Sequence, residues 1–327
     1  MRSLSLGMRN WHLPVFSLLT CWLASGLYAQ NELPGEEKPL IADEAAPSES
    51  GQGRPQGPPP PFFAVDLRVT SFADADLDGD EGELGENRIT ADLSWNRFAA
   101  PNNITRTSLR YVYRNYDLTG DNPFAGAFNE VNGFRVGGTL ERPVSGNWSL
   151  FGTGAIGFQG AEGANIFSGT TVPFAGGVSY LFGPHLIVGA GVLGVFESNV
   201  GTTVIPIVTI RWTPNDRFTL MTLNGVRVTY KLGQQKEWEV LGSILYETFV
   251  FAVDDFDGLA KDQAVVSQEY WQARTGLIRR FGRQFQIGAF LEGRFERKFD
   301  FYDNDREFDR FRIDNSLGFS IEGTYRF

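Results

Sequence analysis

Residues Asp309–Phe327 read DRFRIDNSLGFSIEGTYRF. Phe311, Ile313, Leu317, Phe319, Ile321, Tyr325 and Phe327 occupy one parity, whereas Arg312, Asp314, Ser316, Ser320, Glu322, Thr324 and Arg326 occupy the other. Successive side chains of a strand point to opposite faces, so this stretch has one apolar and one polar face. It outlasts the roughly five or six residues usual for a soluble strand.

The pattern recurs toward the N-terminus. In Arg283–Asp300, Phe285, Ile287, Ala289, Leu291, Phe295 and Phe299 alternate with Gln284, Gln286, Glu292, Arg294, Glu296 and Lys298. In Asn87–Phe98, Ile89, Ala91, Leu93 and Trp95 alternate with Arg88, Thr90, Asp92, Ser94 and Asn96. In Ile104–Tyr116, Leu109, Tyr111 and Tyr113 stand against Arg106, Ser108, Arg110 and Arg114. No stretch beyond residue 62 carries a helical stripe. A β-sandwich would use shorter strands, and a β-helix would show a short fixed repeat that the chain lacks. A transmembrane antiparallel β-barrel accounts for more: strands of about 9–11 residues cross the bilayer with apolar residues outward and polar residues inward. Closure removes the edges that hydrocarbon cannot tolerate. Trp95, Tyr116, Trp148, Phe158, Tyr180, Trp212, Trp238, Tyr270, Trp271, Phe299 and Tyr325 fall near strand ends, where interfacial girdles sit.

The front of the chain is different. Residues 1–29 read as a secretory signal: Arg2 and Arg9, an apolar run Leu13–Leu23 too short to span a bilayer, then Leu27-Tyr-Ala-Gln30 as the cleavage site. The only cysteine, Cys21, lies inside it, so the processed chain is expected to have neither disulfide nor thiolate metal site. Residues 30–61 hold half of the 16 prolines together with acids, Ser and Gly, a composition for a disordered periplasmic tether. The barrel is expected over 62–327. The formal charge of −10 becomes more negative once the two leader arginines are lost, which argues against nucleic acid as a partner.

The ending Ser320-Ile-Glu-Gly-Thr-Tyr325-Arg-Phe327 resembles the terminal strand signal of Gram-negative outer-membrane proteins. The resemblance implies localisation in the bacterial outer membrane, contact with its lipid, and recognition by the barrel-assembly machinery through Tyr325 and Phe327. The chain is then expected to stop on Phe327 because its last strand closes the barrel at the periplasmic interface. Ile210-Arg-Trp-Thr-Pro-Asn-Asp-Arg-Phe218 and Val226–Leu232 resemble uncharacterised, domain-of-unknown-function barrels and, distantly, phenol-degradation-associated outer-membrane proteins. That likeness implies a transport-like protein and carries no functional residue over.

Strands are expected at 62–73, 86–98, 104–117, 131–142, 147–159, 170–182, 185–198, 202–213, 236–252, 268–281, 284–300 and 309–327, about twelve in all. Residues 218–232 do not fit as one crossing. Asn224-Gly225 signals a hairpin with arms too short to span, placed at the periplasmic rim or in the lumen. If each arm recruits its neighbours, the count becomes fourteen.

Three sites follow. Asp74, Asp76, Asp78 and Asp80 with Gly79 match the opening of a calcium loop, although its twelfth position is Gly85. Arg88, Arg106, Arg110 and Arg114 line one luminal side, with Glu237, Glu239, Glu292 and Arg294 among the charges expected opposite; Arg68, Glu247 and Glu296 join them. Such facing charges either select solutes or pair and fill a narrow interior. Inward Leu241, Leu245, Phe249, Phe251 and Phe290 point to partial sealing. Enzyme chemistry has no support: the one histidine beyond the leader, His185, sits in a Gly-Pro-His turn facing the periplasm. No cofactor is implied beyond a structural calcium. The reading is a narrow channel or transport-like barrel for small solutes; the alternative is a sealed structural or surface-display barrel acting through its loops.

Overall fold

The computed structural model describes residues 61–78, 82–100, 103–120, 128–222, 225–254, 264–303 and 306–327. The leader, nearly all of the expected linker, Asp80 and Asn224 lie outside these described residues. The strands are β1 (Phe62–Asp76), β2 (Glu83–Ala100), β3 (Asn103–Thr119), β4 (Glu130–Ser145), β5 (Trp148–Ala161), β6 (Thr171–Phe182), β7 (Leu186–Glu197), β8 (Gly201–Trp212), β9 (Phe218–Thr222), β10 (Gly225–Leu232), β11 (Trp238–Ala252), β12 (Val265–Phe281), β13 (Phe285–Asp303), β14 (Arg306–Ile313) and β15 (Ser316–Arg326).

Each strand pairs antiparallel with its neighbour in sequence from β1 to β13, and β15 pairs with both β13 and β1. The ring is a closed barrel of fourteen strands with one extra strand. The extra strand has a simple origin. β15 pairs with the first half of β13, up to Arg294↔Ser316, and β14 pairs with the second half, from Arg297↔Ile313 onward. Together β14 and β15 trace one wall position, broken at Asp314–Asn315.

The 218–232 segment belongs to the wall, not to the rim or the lumen. β9 pairs with the last three residues of β8, and β10 pairs with β11 from Gly225↔Leu245 to Leu232↔Trp238. The arms recruit their neighbours, so the fourteen-strand count holds and twelve is corrected.

Short turns at Gly146–Asn147, Gly183–His185 and Gly282–Gln284 mark one end, and the longer connections mark the other. In outer-membrane barrels the short-turn end is periplasmic. Outward positions are apolar along the wall: Leu67, Val69, Leu93, Leu109, Val136, Leu150, Val178, Val192, Val208, Ile244, Leu277, Leu291 and Ile321 are all exposed. An apolar belt of this extent cannot face water without aggregation, and in hydrocarbon it costs nothing. The chain is a bacterial outer-membrane barrel. Aromatic pairs ring its periplasmic edge: Phe63–Phe327, Trp148–Tyr180, Trp212–Phe218 and Phe281–Phe285.

At the opposite end the simple alternation breaks. β1 shifts register between Phe72 and Ala75, so inward positions pass from Phe72 to Ala75 and Leu77. In β13, Glu296 has φ 54, and inward positions pass from Arg294 to Arg297, Phe299 and Phe301. Across the Asp314–Asn315 break, β15 points even residues inward while β14 points Phe311 and Ile313 inward. A bulge adds one residue and so reverses which face the following side chains meet. Phe299, Phe311 and Ile313, expected on the lipid side, are therefore luminal, as are Tyr116 and Tyr270, expected in the girdle. Phe299, Phe311, Ile313 and Tyr116 join Leu84, Phe128, Phe249, Phe251, Phe301 and others in an apolar plug at the extracellular end.

At the same level β11 reaches β5 through one parallel pair, Ala252↔Gly160. The 3-10 turn Ile166–Gly169 packs there, capped by the Asn165 side chain, which accepts the Phe167 N–H at 3.2 Å. Gly169 is required by this approach: a Cβ would lie 2.0 Å from the Gln159 carbonyl oxygen and 2.7 Å from the Ala252 nitrogen. β1–β5 and β11–β14 thus close a smaller ring at the extracellular level, and β6–β10 form a side lobe.

Candidate functional site

The lumen has two unlike sides. On β1–β3 and β11–β15 the inward positions carry charge and are buried. Their centre is Glu86, which the sequence reading missed although it shares parity with Arg88. Glu86 accepts from Arg297 at 2.5 Å, from Arg294 Nη2 at 3.0 Å and from Arg114 at 3.4 Å, with a further contact to Arg294 Nη1. Arg114 also donates to Gln268 at 3.1 Å and lies 3.5 Å from the Phe249 ring centroid. Arg294 stacks on Phe72 and Tyr270 at 3.7 and 4.4 Å. A cation over an aromatic face gains from the ring quadrupole, most where water is excluded.

Below this layer the chain of pairs continues. Arg88 lies 3.6 Å from Glu247 and 4.0 Å from Glu292. Tyr270 donates to Glu247 at 2.5 Å. Arg274 reaches Glu292 at 3.3 Å and Glu322 at 2.6 Å, and Arg68 reaches Glu322 at 3.5 Å. Arg106 and Arg110 share Asp92, at 3.5 and 3.2 Å. At the periplasmic end Arg280 donates to Glu239 at 2.7 Å. The expected luminal residues Arg88, Arg106, Arg110, Arg114, Glu239, Glu292 and Arg294 are all inward and buried. They form clusters of pairs rather than facing rings.

Two acids depart from expectation. Glu237 lies in the turn before β11, where its carboxylate accepts the Gln235 N–H at 3.1 Å. Glu296 is the bulge residue and is exposed. Both were assigned by continuing the alternation through a backbone irregularity.

On β4–β9 many inward positions are small or apolar, although Glu141 pairs with Arg211 at 3.5 Å and Arg135, Gln159 and Glu197 are buried. Gly137, Thr139, Phe151, Thr153, Gly177, Gly191, Thr203, Thr209 and Met221 are only part-buried. Deeper toward the extracellular end of the same lobe, Ala175, Leu193, Ile205 and Ile207 close into a second apolar cluster. A third, Leu241, Ile278 and Phe290, fills the charged side near the periplasm.

The acidic strip begins within a strand. Asp74 and Asp76 belong to β1 and are exposed with Asp78, which follows it. Among the described residues no three His, Cys, Asp or Glu side chains converge as a metal site. His185 is exposed in its periplasmic turn.

No family model matches the chain, and no curated protein matches it. Solved barrels do resemble it. An outer-membrane channel from Pseudomonas putida F1 is 11% identical, with 86% of this chain and all of that chain covered at a TM-score of 0.46. The translocator domain of the autotransporter NalP from Neisseria meningitidis is 12% identical, covering 84% of this chain and 90% of that one at a TM-score of 0.40. A Pseudomonas aeruginosa FadL homologue is 12% identical, covering 81% and 89% at a TM-score of 0.40.

Proposed function

We propose that this barrel is a narrow, transport-like channel for small solutes. One observation supports it above the others: several inward residues of β4–β9, among them Gly137, Thr139, Thr153 and Thr209, stay part-exposed, while most charged side chains of the opposite side are buried. Solvent therefore reaches a luminal surface of glycine, threonine and apolar side chains, interrupted by the Glu141–Arg211 pair and bordered by Arg106 and Arg110. A solute entering there meets small, weakly polar walls with positive charge at one margin. Such a surface is compatible with the distant resemblance to phenol-degradation-associated outer-membrane proteins, which implies transport-like membership. Passage requires the Leu193–Ile205 cluster or the extracellular plug to part.

The sealed-barrel reading has its own support in that plug. Planar-bilayer conductance of the purified full chain separates the two. The channel reading expects small, discrete openings in the wild type and larger ones when Phe249→Ala and Phe299→Ala are combined. A silent wild type that also fails to let small solutes out of loaded liposomes leaves the sealed reading.

Two further proposals rest on sequence pattern. Recognition by the barrel-assembly machinery rests on Tyr325 and Phe327. Calcium binding rests on the spacing of Asp74, Asp76, Asp78 and Asp80, and calorimetric titration of wild type against a combined Asp74→Asn, Asp78→Asn variant tests it.

A further inference from the structure

The wall is breached where β13 changes partners. Between the pairs Arg294↔Ser316 and Arg297↔Ile313, Phe295 and Glu296 on one side face Asp314 and Asn315 on the other without a ladder. A pocket of about 730 Å³ opens here, floored by Tyr246 and Trp271 and reaching inward to Arg297. Arg297 is 1% exposed, and its Nη2 is bound to Glu86. Its Nε and Nη1 have no hydrogen-bond partner among the described residues.

The charge around Arg297 does not balance. Glu86 is the one carboxylate within ion-pair distance of Arg114, Arg294 and Arg297 among the described residues. All four side chains are buried to about one per cent exposure. Buried charge without a counter-charge is costly, by several kcal/mol per ion in order of magnitude. The neighbouring carboxylates are committed elsewhere: Glu247 and Glu292 face Arg88, and Glu292 also holds Arg274.

The rim adds cations. Lys298 is held by Glu269 at 2.8 Å and Asp300 at 3.2 Å, and Arg310 by Asp300 and by Glu307 at 3.0 Å. Arg312 lines the same pocket, as do the carboxylates of Asp78, Glu296 and Asp314. Carboxylates outnumber cations at the mouth, so the positive excess is confined to the inside.

We propose that this breach is a binding site for a phosphoryl anion, with Arg297 as its inner donor and Lys298 and Arg312 at its mouth. Several oxygens on one centre can meet an inner guanidinium and rim cations together, and guanidinium–phosphate bonds are among the strong charge-assisted ones. The depth agrees. On β13 the outward face is apolar from Phe285 to Phe295 and turns polar at Glu296, so the pocket lies where hydrocarbon gives way to headgroups. The phosphoryl group is carried either by an outer-leaflet glycolipid or by a free ion in the medium.

The full chain is titrated with inorganic phosphate by calorimetry in detergent. In parallel it is analysed by native mass spectrometry from nanodiscs of phosphatidylethanolamine, with and without phosphorylated lipid A. Heat-modifiable migration on gels checks folding of every variant. Calorimetric binding assigns a free anion; retention of phosphorylated but not dephosphorylated lipid A assigns the glycolipid. In either case Arg297→Gln is expected to weaken binding about tenfold or more. If that variant does not fold, the rim double variant Lys298→Gln, Arg312→Gln takes its place, with the same expectation. Wild-type affinity in the folded variant, or binding of neither phosphoryl source, overturns the proposal.

Discussion

Phe63 and Phe327 exchange both backbone hydrogen bonds, each at 3.0 Å, and their rings stack 5.9 Å apart. This pair ends the seam between β1 and β15, whose register runs from Ala64↔Arg326 to Phe72↔Gly318. Deleting Phe327 removes two ladder bonds, together about 1–3 kcal/mol, and a ring contact of about 1 kcal/mol. The expected outcome is slower assembly and a lower midpoint of thermal band-shift on gels. Wild-type membrane levels with an unshifted midpoint would count against both a recognition role and a seam role.

Glu86 stabilises three arginines at once. Removing one partner of a buried pair costs about 3–5 kcal/mol, because the remaining charge stays buried. Glu86→Gln is expected to lose at least that much in guanidinium unfolding monitored by tryptophan fluorescence, whereas Arg306→Gln, at an exposed site, should change little.

Glu296 sits at φ 54, where a side chain is strained. Glu296→Gly is expected to stabilise by about 1 kcal/mol, and Glu296→Val to destabilise by more. Deleting the residue removes the extra position, so plain alternation from Arg294 should keep Arg297, Phe299 and Phe301 inward and leave the plug in place. Equal unfolding midpoints for the Gly and Val variants would refute the strain argument.

Arg110 shares Asp92 with Arg106. If positive charge at this luminal margin sets selectivity, Arg110→Glu should move the reversal potential toward cations in a salt gradient, without loss of heat-modifiability. Unchanged selectivity in a conducting channel would make these arginines structural partners only.

Asp216 and Lys236 join two periplasmic turns at 2.5 Å. The hydrogen bond from Lys236 holds the Asp216 carboxyl below the usual aspartate range. A depressed folded pKa adds stability above the unfolded pKa and loses it as pH falls through the folded value. The turns should therefore resist proteolysis at neutral pH and become more easily cut by an acid-active protease below the ordinary aspartate pKa. Lys236→Gln should remove that dependence, and an identical acid profile in the variant would argue against the pairing.

The period-2 pattern of Asp309–Phe327 and its counterparts decided much unaided. Strand identity, the apolar outer face of β1–β8, and the inward direction of Arg88, Arg110, Arg114 and Glu292 all follow from alternation, which is a local property of the backbone. The inward direction of Phe249 and Phe251 was legible for the same reason. Alternation cannot register an inserted residue, so the faces of Phe299, Phe311 and Ile313 were decided by the bulges at Glu296 and Asp314–Asn315. Nor does it report length: β9 and β10 are too short to cross alone, and they enter the wall because β8 and β11 offer them partners. The meeting of Glu86 with Arg294 and Arg297 spans 208 and 211 positions in the chain. Only ring closure brings those strands face to face, and only there does the imbalance of charge around one carboxylate exist.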